Sequence, residues 1–132
     1  MWVRMTVVAL IIVFVIGACA SQKFELQGSQ RRAYRIEQIK NRHPDWDDIT
    51  VQKVASRRID IAMTPEMART ALGEPDSVSR EGGEEIWGYA IWIVPGEAPA
   101  YQKFVYFVHF REGKIIRTTG DRSALSHLNW YQ

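Results

Sequence analysis

Hydrophobic positions follow two periods along this chain, and the change falls at Asp76. Before it, apolar residues recur at helical spacing; beyond it, they alternate with polar ones. The stretch that ends the helical part is Met63-Thr-Pro-Glu-Met-Ala-Arg-Thr-Ala-Leu-Gly-Glu-Pro-Asp76. It carries a full set of helix signals. Thr64 suits the N-cap, and Pro65 suits the first helical position, where its missing N–H costs nothing. Met63 stands where a hydrophobic staple onto Ala68 is expected. Met67, Ala68, Ala71 and Leu72 form one apolar stripe, with Glu66, Arg69 and Thr70 outside it. Gly73 is expected to be left-handed at C′, and Pro75 blocks continuation. So short a helix is not stable alone in water. Its stripe must lie on the aromatic sheet that the following residues predict.

Two further helices are expected upstream. Residues 29–42 start at a capping Ser29, but Tyr34, Ile36 and Ile39 do not form one clean apolar stripe. This segment is basic, with Arg31, Arg32, Arg35, Lys40 and Arg42 against Glu37. It reads either as a solvated helix or as a contact to anionic lipid headgroups through Arg31, Arg32 and Arg35. His43-Pro44 breaks it. The second helix covers 46–57, with Asp45 as N-cap, Asp47 and Asp48 in the first turn, and Arg57 and Arg58 closing the last. Val51, Val54 and Ala55 share a face, Ile49 falls off it, and Trp46 packs where the helix begins. Ile59, Ile61 and Met63 alternate with polar or small residues, which predicts an extended link.

Beyond Asp76 the alternation predicts strands at 77–81, 84–94, 101–111 and 114–119. Gly82-Gly83 and Glu112-Gly113 turn the chain, and Pro95 to Ala100 form a loop. The fold class is therefore α+β: helices packed on one face of a small, three- to four-stranded antiparallel sheet. Trp87, Tyr89, Ile91 and Ile93 share one face of the second strand, opposite Ile86, Ala90, Trp92 and Val94. On the third strand, Phe104, Tyr106, Val108 and Phe110 oppose Val105, Phe107 and His109. Both faces are apolar, although a sheet with helices on one side is usually polar on the other. Two accounts stand. The first helix and the tail, through Leu125, Leu128, Trp130 and Tyr131, cover the second face; or Trp92, Val105, Phe107 and His109 bind a partner there.

The first residues change the picture. Arg4 is the sole charge in 1–18, and Val7 to Ile16 is an apolar run of about 10 residues, too short to span a bilayer and typical of a signal-peptide core. Ile16-Gly17-Ala18-Cys19 follows, and Cys19 is the only cysteine. Small residues before a lone cysteine resemble the lipobox of bacterial lipoproteins. That resemblance implies cleavage before Cys19 and its acylation; an exported lone thiol has no disulfide partner otherwise. Two or three acyl chains anchor a protein stably where one does not. Ala20 stands where an aspartate would, in that family, favour the inner membrane, so outer-membrane sorting is expected. The alternative is a membrane anchor with an incidental cysteine. Losing 1–18 takes the net charge from +2 to +1, which gives no basic field for nucleic acid.

From residue 44 to 120 the chain resembles the SmpA/OmlA family of small outer-membrane lipoproteins, which includes the E subunit of the β-barrel assembly machinery. The shared features are the lipobox, Met63-Thr64 leading a short helix, Leu72-Gly73-Glu74-Pro75, Trp87-x-Tyr89, and the strand pair Val105-Tyr-Phe-Val-His-Phe-Arg-Glu-Gly-Lys-Ile115. The resemblance implies two helices on an antiparallel sheet, similar to β-lactamase-inhibitor repeats, and action by binding other envelope proteins without catalysis. Ala62 stands where a glycine is common before Met-Thr. Residues 29–42 and the tail after Asp121 have no counterpart. The expected division is a signal peptide at 1–18, an acylated cysteine and tether at 19–28, a basic segment at 29–43, the α+β domain at 44–121, and a tail at 122–132.

Enzymatic chemistry finds no support in the motifs. His43, His109 and His127 show no ligand spacing with one another or with Cys19, so no metal or cofactor is expected. There is no phosphate loop or nucleophile elbow. Glu84-Glu85 read as solvated hairpin charges, and His109 as a packed or interface residue. Three non-enzymatic classes remain: an envelope assembly or scaffold lipoprotein, a lipid- or small-ligand-binding lipoprotein, and an inhibitor of a periplasmic enzyme. The loop at 95–100, with Glu97 as its one charge, is too weakly acidic to mimic a substrate and disfavours the last.

Overall fold

The computed structural model describes residues 27–127. The expected signal peptide, Cys19, most of the tether, and Leu128, Trp130 and Tyr131 lie outside those residues. The chain divides into two compact units between Ala55 and Ser56, a boundary inside the expected 44–121 domain.

The first unit holds α1, residues 27–42, and α2, Asp48–Ala55. Helix is already formed at residue 27, so Ser29 lies inside α1 rather than capping it. α1 ends at residue 42, just before His43-Pro44, where the proline disfavours helix in the residue before it. The cap of α2 is Asp47, not Asp45. Its carboxylate accepts from the Thr50 amide at 2.9 Å and from the Thr50 hydroxyl at 2.8 Å, and these bonds hold Asp47 below its usual carboxylate pKa. Val51, Val54 and Ala55 are buried and Ile49 is exposed, as the periodicity requires. Trp46 stacks on His43, with ring centroids 3.9 Å apart. The last turn carries Lys53; Arg57 has φ 58 and lies beyond the helix.

The second unit holds α3, Pro65–Leu72, and a four-stranded antiparallel meander. Its strands are β1 (Ser77–Glu81), β2 (Glu84–Ile93), β3 (Tyr101–Arg111) and β4 (Lys114–Gly120), in the order β1-β2-β3-β4. The fold is α+β. A 3₁₀ turn, Arg122–His127, follows β4, rests against β2 and β3, and buries Leu125. The link before α3 is a turn rather than an extended segment. Ala62 has φ 71, a left-handed value that glycine takes at lower cost. That turn lets Ala62 donate to the Ile115 carbonyl and Met63 accept from the Ile115 amide, both at 2.8 Å.

α3 begins and ends where the sequence predicts. The Thr64 hydroxyl accepts from the Met67 amide at 3.3 Å. Gly73 has φ 85 and ψ −175, so it is not the left-handed helical residue expected but lies in a region essentially reserved for glycine. The buried side of α3, Ala68, Ala71 and Leu72, faces the sheet surface of Trp87, Tyr89, Tyr106 and Phe110. Two contacts fix this docking. The Tyr89 hydroxyl donates to the Gly73 carbonyl at 3.2 Å, and the Arg69 guanidinium lies 5.0 Å from the Trp87 ring centroid. Burial raises the Tyr89 pKa, so the phenol stays protonated and remains a donor.

Candidate functional site

β2 and β3 outrun their neighbours. β1 pairs with β2 only as far as Gly88, and β4 pairs with β3 only as far as Tyr106. Beyond those points, residues 90–93 and 101–104 pair with each other, with no further strand beside them among the described residues. At the edge where β1 stops, the Ala90 amide donates to the Asp76 carboxylate at 2.7 Å. On the other edge, Val105 accepts from the Asp121 amide at 2.7 Å. The projecting ribbon carries its apolar side chains into solvent: Trp92 is 61% exposed, Tyr101 52%, Phe104 39%, and Val94, just past the strand, 77%.

A bulge shapes this end. The register shifts between Tyr89 and Ala90, so that Tyr89 faces Tyr106 while Ala90 faces Phe104. Val105 is the extra residue. One inserted residue reverses the side of everything beyond it. Phe104 therefore leaves the Tyr106 face, where simple alternation puts it, and joins Phe107, with ring centroids 6.2 Å apart. It lies across Gly88, where an added Cβ would come 2.9 Å from the Phe104 ring. A side chain at 88 would lift that ring off the sheet.

The four residues expected to bind a partner have different surroundings. Trp92 is exposed on the ribbon, while Val105 and Phe107 are half-buried. His109 shares their face but is 7% exposed, lying under a charged cluster at the opposite end of the sheet. Its Nδ1 is 3.1 Å from Glu84 Oε2, and its Nε2 is 3.2 Å from the Thr119 hydroxyl. An ionised carboxylate only accepts, so Nδ1 carries the proton. Arg117 donates to Glu84 Oε2 at 2.8 Å and Arg111 to Oε1 at 2.9 Å. Glu84 is thus the centre of a network across three strands rather than a solvated hairpin charge. The Arg117 bond, then the His109 bond and the charges of Arg117 and Arg111, hold its carboxyl below the usual range. Glu85 is also engaged: the Trp87 indole N–H donates to it at 2.8 Å and Arg80 at 3.1 Å.

A cleft of about 320 Å³ opens between the two hairpin turns and the start of α3, lined by Pro65, Arg80, Glu84, Glu85 and Phe110 among others. Both of those carboxylates already have cationic partners within the fold. Among the described residues no group of His, Cys, Asp or Glu is arranged to hold a metal ion, and no helix is long and apolar enough to cross a membrane. Comparison with family models, curated proteins and solved structures returns no match.

Proposed function

We propose that this chain is a bacterial envelope lipoprotein, anchored through Cys19, that acts without catalysis as a protein-binding module of outer-membrane assembly or scaffolding. The observation that carries the reading is the β2–β3 ribbon, which holds Trp92, Tyr101 and Phe104 in solvent at the end of an otherwise well-packed sheet. A two-stranded ribbon is marginal alone in water, and exposed aromatics cost solubility unless something uses them. Aromatic residues are enriched at protein interfaces, and a few of them supply most of the affinity. The Ile16-Gly17-Ala18-Cys19 run and the resemblance to the SmpA/OmlA family favour the periplasmic side of the outer membrane as the place of action.

Two measurements test this. Mass spectrometry of the mature protein should find residues 1–18 removed and Cys19 acylated, and Cys19→Ser should leave an uncleaved or unacylated form. A mature wild-type chain without acyl groups would rule out the anchor. A photo-crosslinking residue at Gln102, beside Trp92 in the register, should capture an outer-membrane or assembly protein in intact cells. Crosslinking to phospholipid alone would favour a lipid-binding role instead.

A further inference from the structure

We infer that one long side of α1 is a docking surface for a bilayer bearing anionic headgroups. At 3.6 residues per turn, positions i, i+3, i+4, i+7 and i+11 share one side of a helix. In α1 those positions hold Arg31, Tyr34, Arg35, Gln38 and Arg42, all within the unbroken helical run 27–42. The stripe therefore carries three guanidinium groups, a phenol and no carboxylate. Arg31 and Arg42 are exposed, Arg35 and Gln38 are half-buried, and Tyr34 is 63% exposed. The other charges turn away from it. Glu37 lies about 110° round from the middle of the stripe. Lys40, farther round, pairs with Asp48 of α2. The buried residue of α1, Ile39, lies on a different side from Tyr34.

Charge complementarity selects the occupant. Arginines near an anionic membrane surface are drawn to it, and tyrosine settles at the level of the headgroups, with its ring in the apolar boundary and its hydroxyl in water. The position of α1 in the chain favours the same surface. Seven residues lie between Cys19 and residue 27, and the eight Cα–Cα steps they make span at most about 28 Å. This geometric part rests on the anchoring proposed above. An acylated Cys19 would hold α1 within reach of the headgroups and raise its effective concentration there.

The test uses the full-length chain with Cys19→Ser, so that acylation plays no part. A single reporter cysteine is added, either Tyr34→Cys on the stripe or Ala33→Cys off it, and labelled with a polarity-sensitive dye. Each protein is titrated with vesicles of phosphatidylcholine alone and of phosphatidylcholine with roughly one-third phosphatidylglycerol. The leader carries Arg4 and the N-terminal amine and itself favours anionic vesicles, so the stripe is reported by the difference between the dyes at 34 and 33 and by its loss on each arginine substitution. The dye at 34 should shift to the blue with anionic vesicles and stay unchanged with zwitterionic ones, while the dye at 33 stays in water. Arg31→Gln, Arg35→Gln and Arg42→Gln, which are nearly neutral for helix formation, should each weaken the response about fivefold, and high salt should suppress it. No response at 34, an equal response to both vesicle types, or an equal response at 33 would overturn the inference. A wild-type chain that proves unacylated would remove the anchor and leave this result standing.

Discussion

At the scale of single residues, Gly73 bears most directly on how α3 ends. Its φ of 85 with an extended ψ is costly for any residue with a Cβ, yet nothing stands within 4 Å of where that Cβ would be. The penalty is therefore one of backbone alone. Gly73→Val should lower stability by about 1–3 kcal/mol, read by thermal or denaturant melting; an unchanged melt would mean that the turn can be rebuilt. Glu84 tests the polar side of the sheet. Its folded pKa is depressed, so the unfolded chain binds its proton more readily and stability falls with acidification. That contribution is fully present above the ordinary value of 4.5 and is lost as the pH drops through the lower folded value. Glu84→Gln should flatten the decline of melting temperature below about pH 4.5 while destabilising the protein at neutral pH, where Arg111, Arg117 and His109 lose the negative charge and one of the two acceptor oxygens they share. A decline as steep as in the wild type would assign the acid sensitivity to other carboxylates.

At the scale of elements, α3 is a short helix that survives by docking. Leu72 is 4% exposed at its C-terminal end, so Leu72→Ala should cost about 2–5 kcal/mol in a denaturant titration. A loss below that range would mean that the helix is not packed on the sheet. This helix was the most legible part of the sequence, because a cap, a proline, an apolar stripe and a glycine all agree on its limits. The strands were legible for a similar reason: their turns are marked by Gly82-Gly83 and Glu112-Gly113. The errors arose where one residue breaks a period. Val105 is the inserted residue of the bulge, and parity counted straight through it puts Phe104 on the wrong face. Asp45, Asp47 and Asp48 all offer a carboxylate to cap α2, and the side-chain bonds to Thr50 decide for Asp47. The Glu84 network was half visible. Alternation puts Glu84 on the face of Ile86 and Ala90, and Arg111 on that of His109. Bringing Arg117 to the same carboxylate takes a register that a second irregularity, between His109 and Phe110, shifts by one residue. For the partner surface, parity brought Trp92, Phe107 and His109 to one face. The predicted strand lengths already let β2 and β3 run past β1 and β4; what parity could not give was the Glu84 network that closes over His109, which is why Trp92 is open and His109 is not.

At the scale of the whole molecule, packing and exposure lie at opposite ends of one sheet. One end is closed by the Glu84 network and its two arginines; the other ends in a ribbon of apolar side chains in solvent. A ribbon that only completed the fold would make Trp92 a stability residue. A ribbon that binds would make it an affinity residue. The most direct measurement compares Trp92→Ala with the wild type for melting temperature and for capture of the partner identified by crosslinking. With 61% of Trp92 exposed, melting should change by no more than about 0.5 kcal/mol. Capture should weaken by about 2 kcal/mol, or roughly thirtyfold, the scale of an interface hot spot. A clear loss of stability with capture intact would contradict the account and make Trp92 part of the fold rather than of an interface.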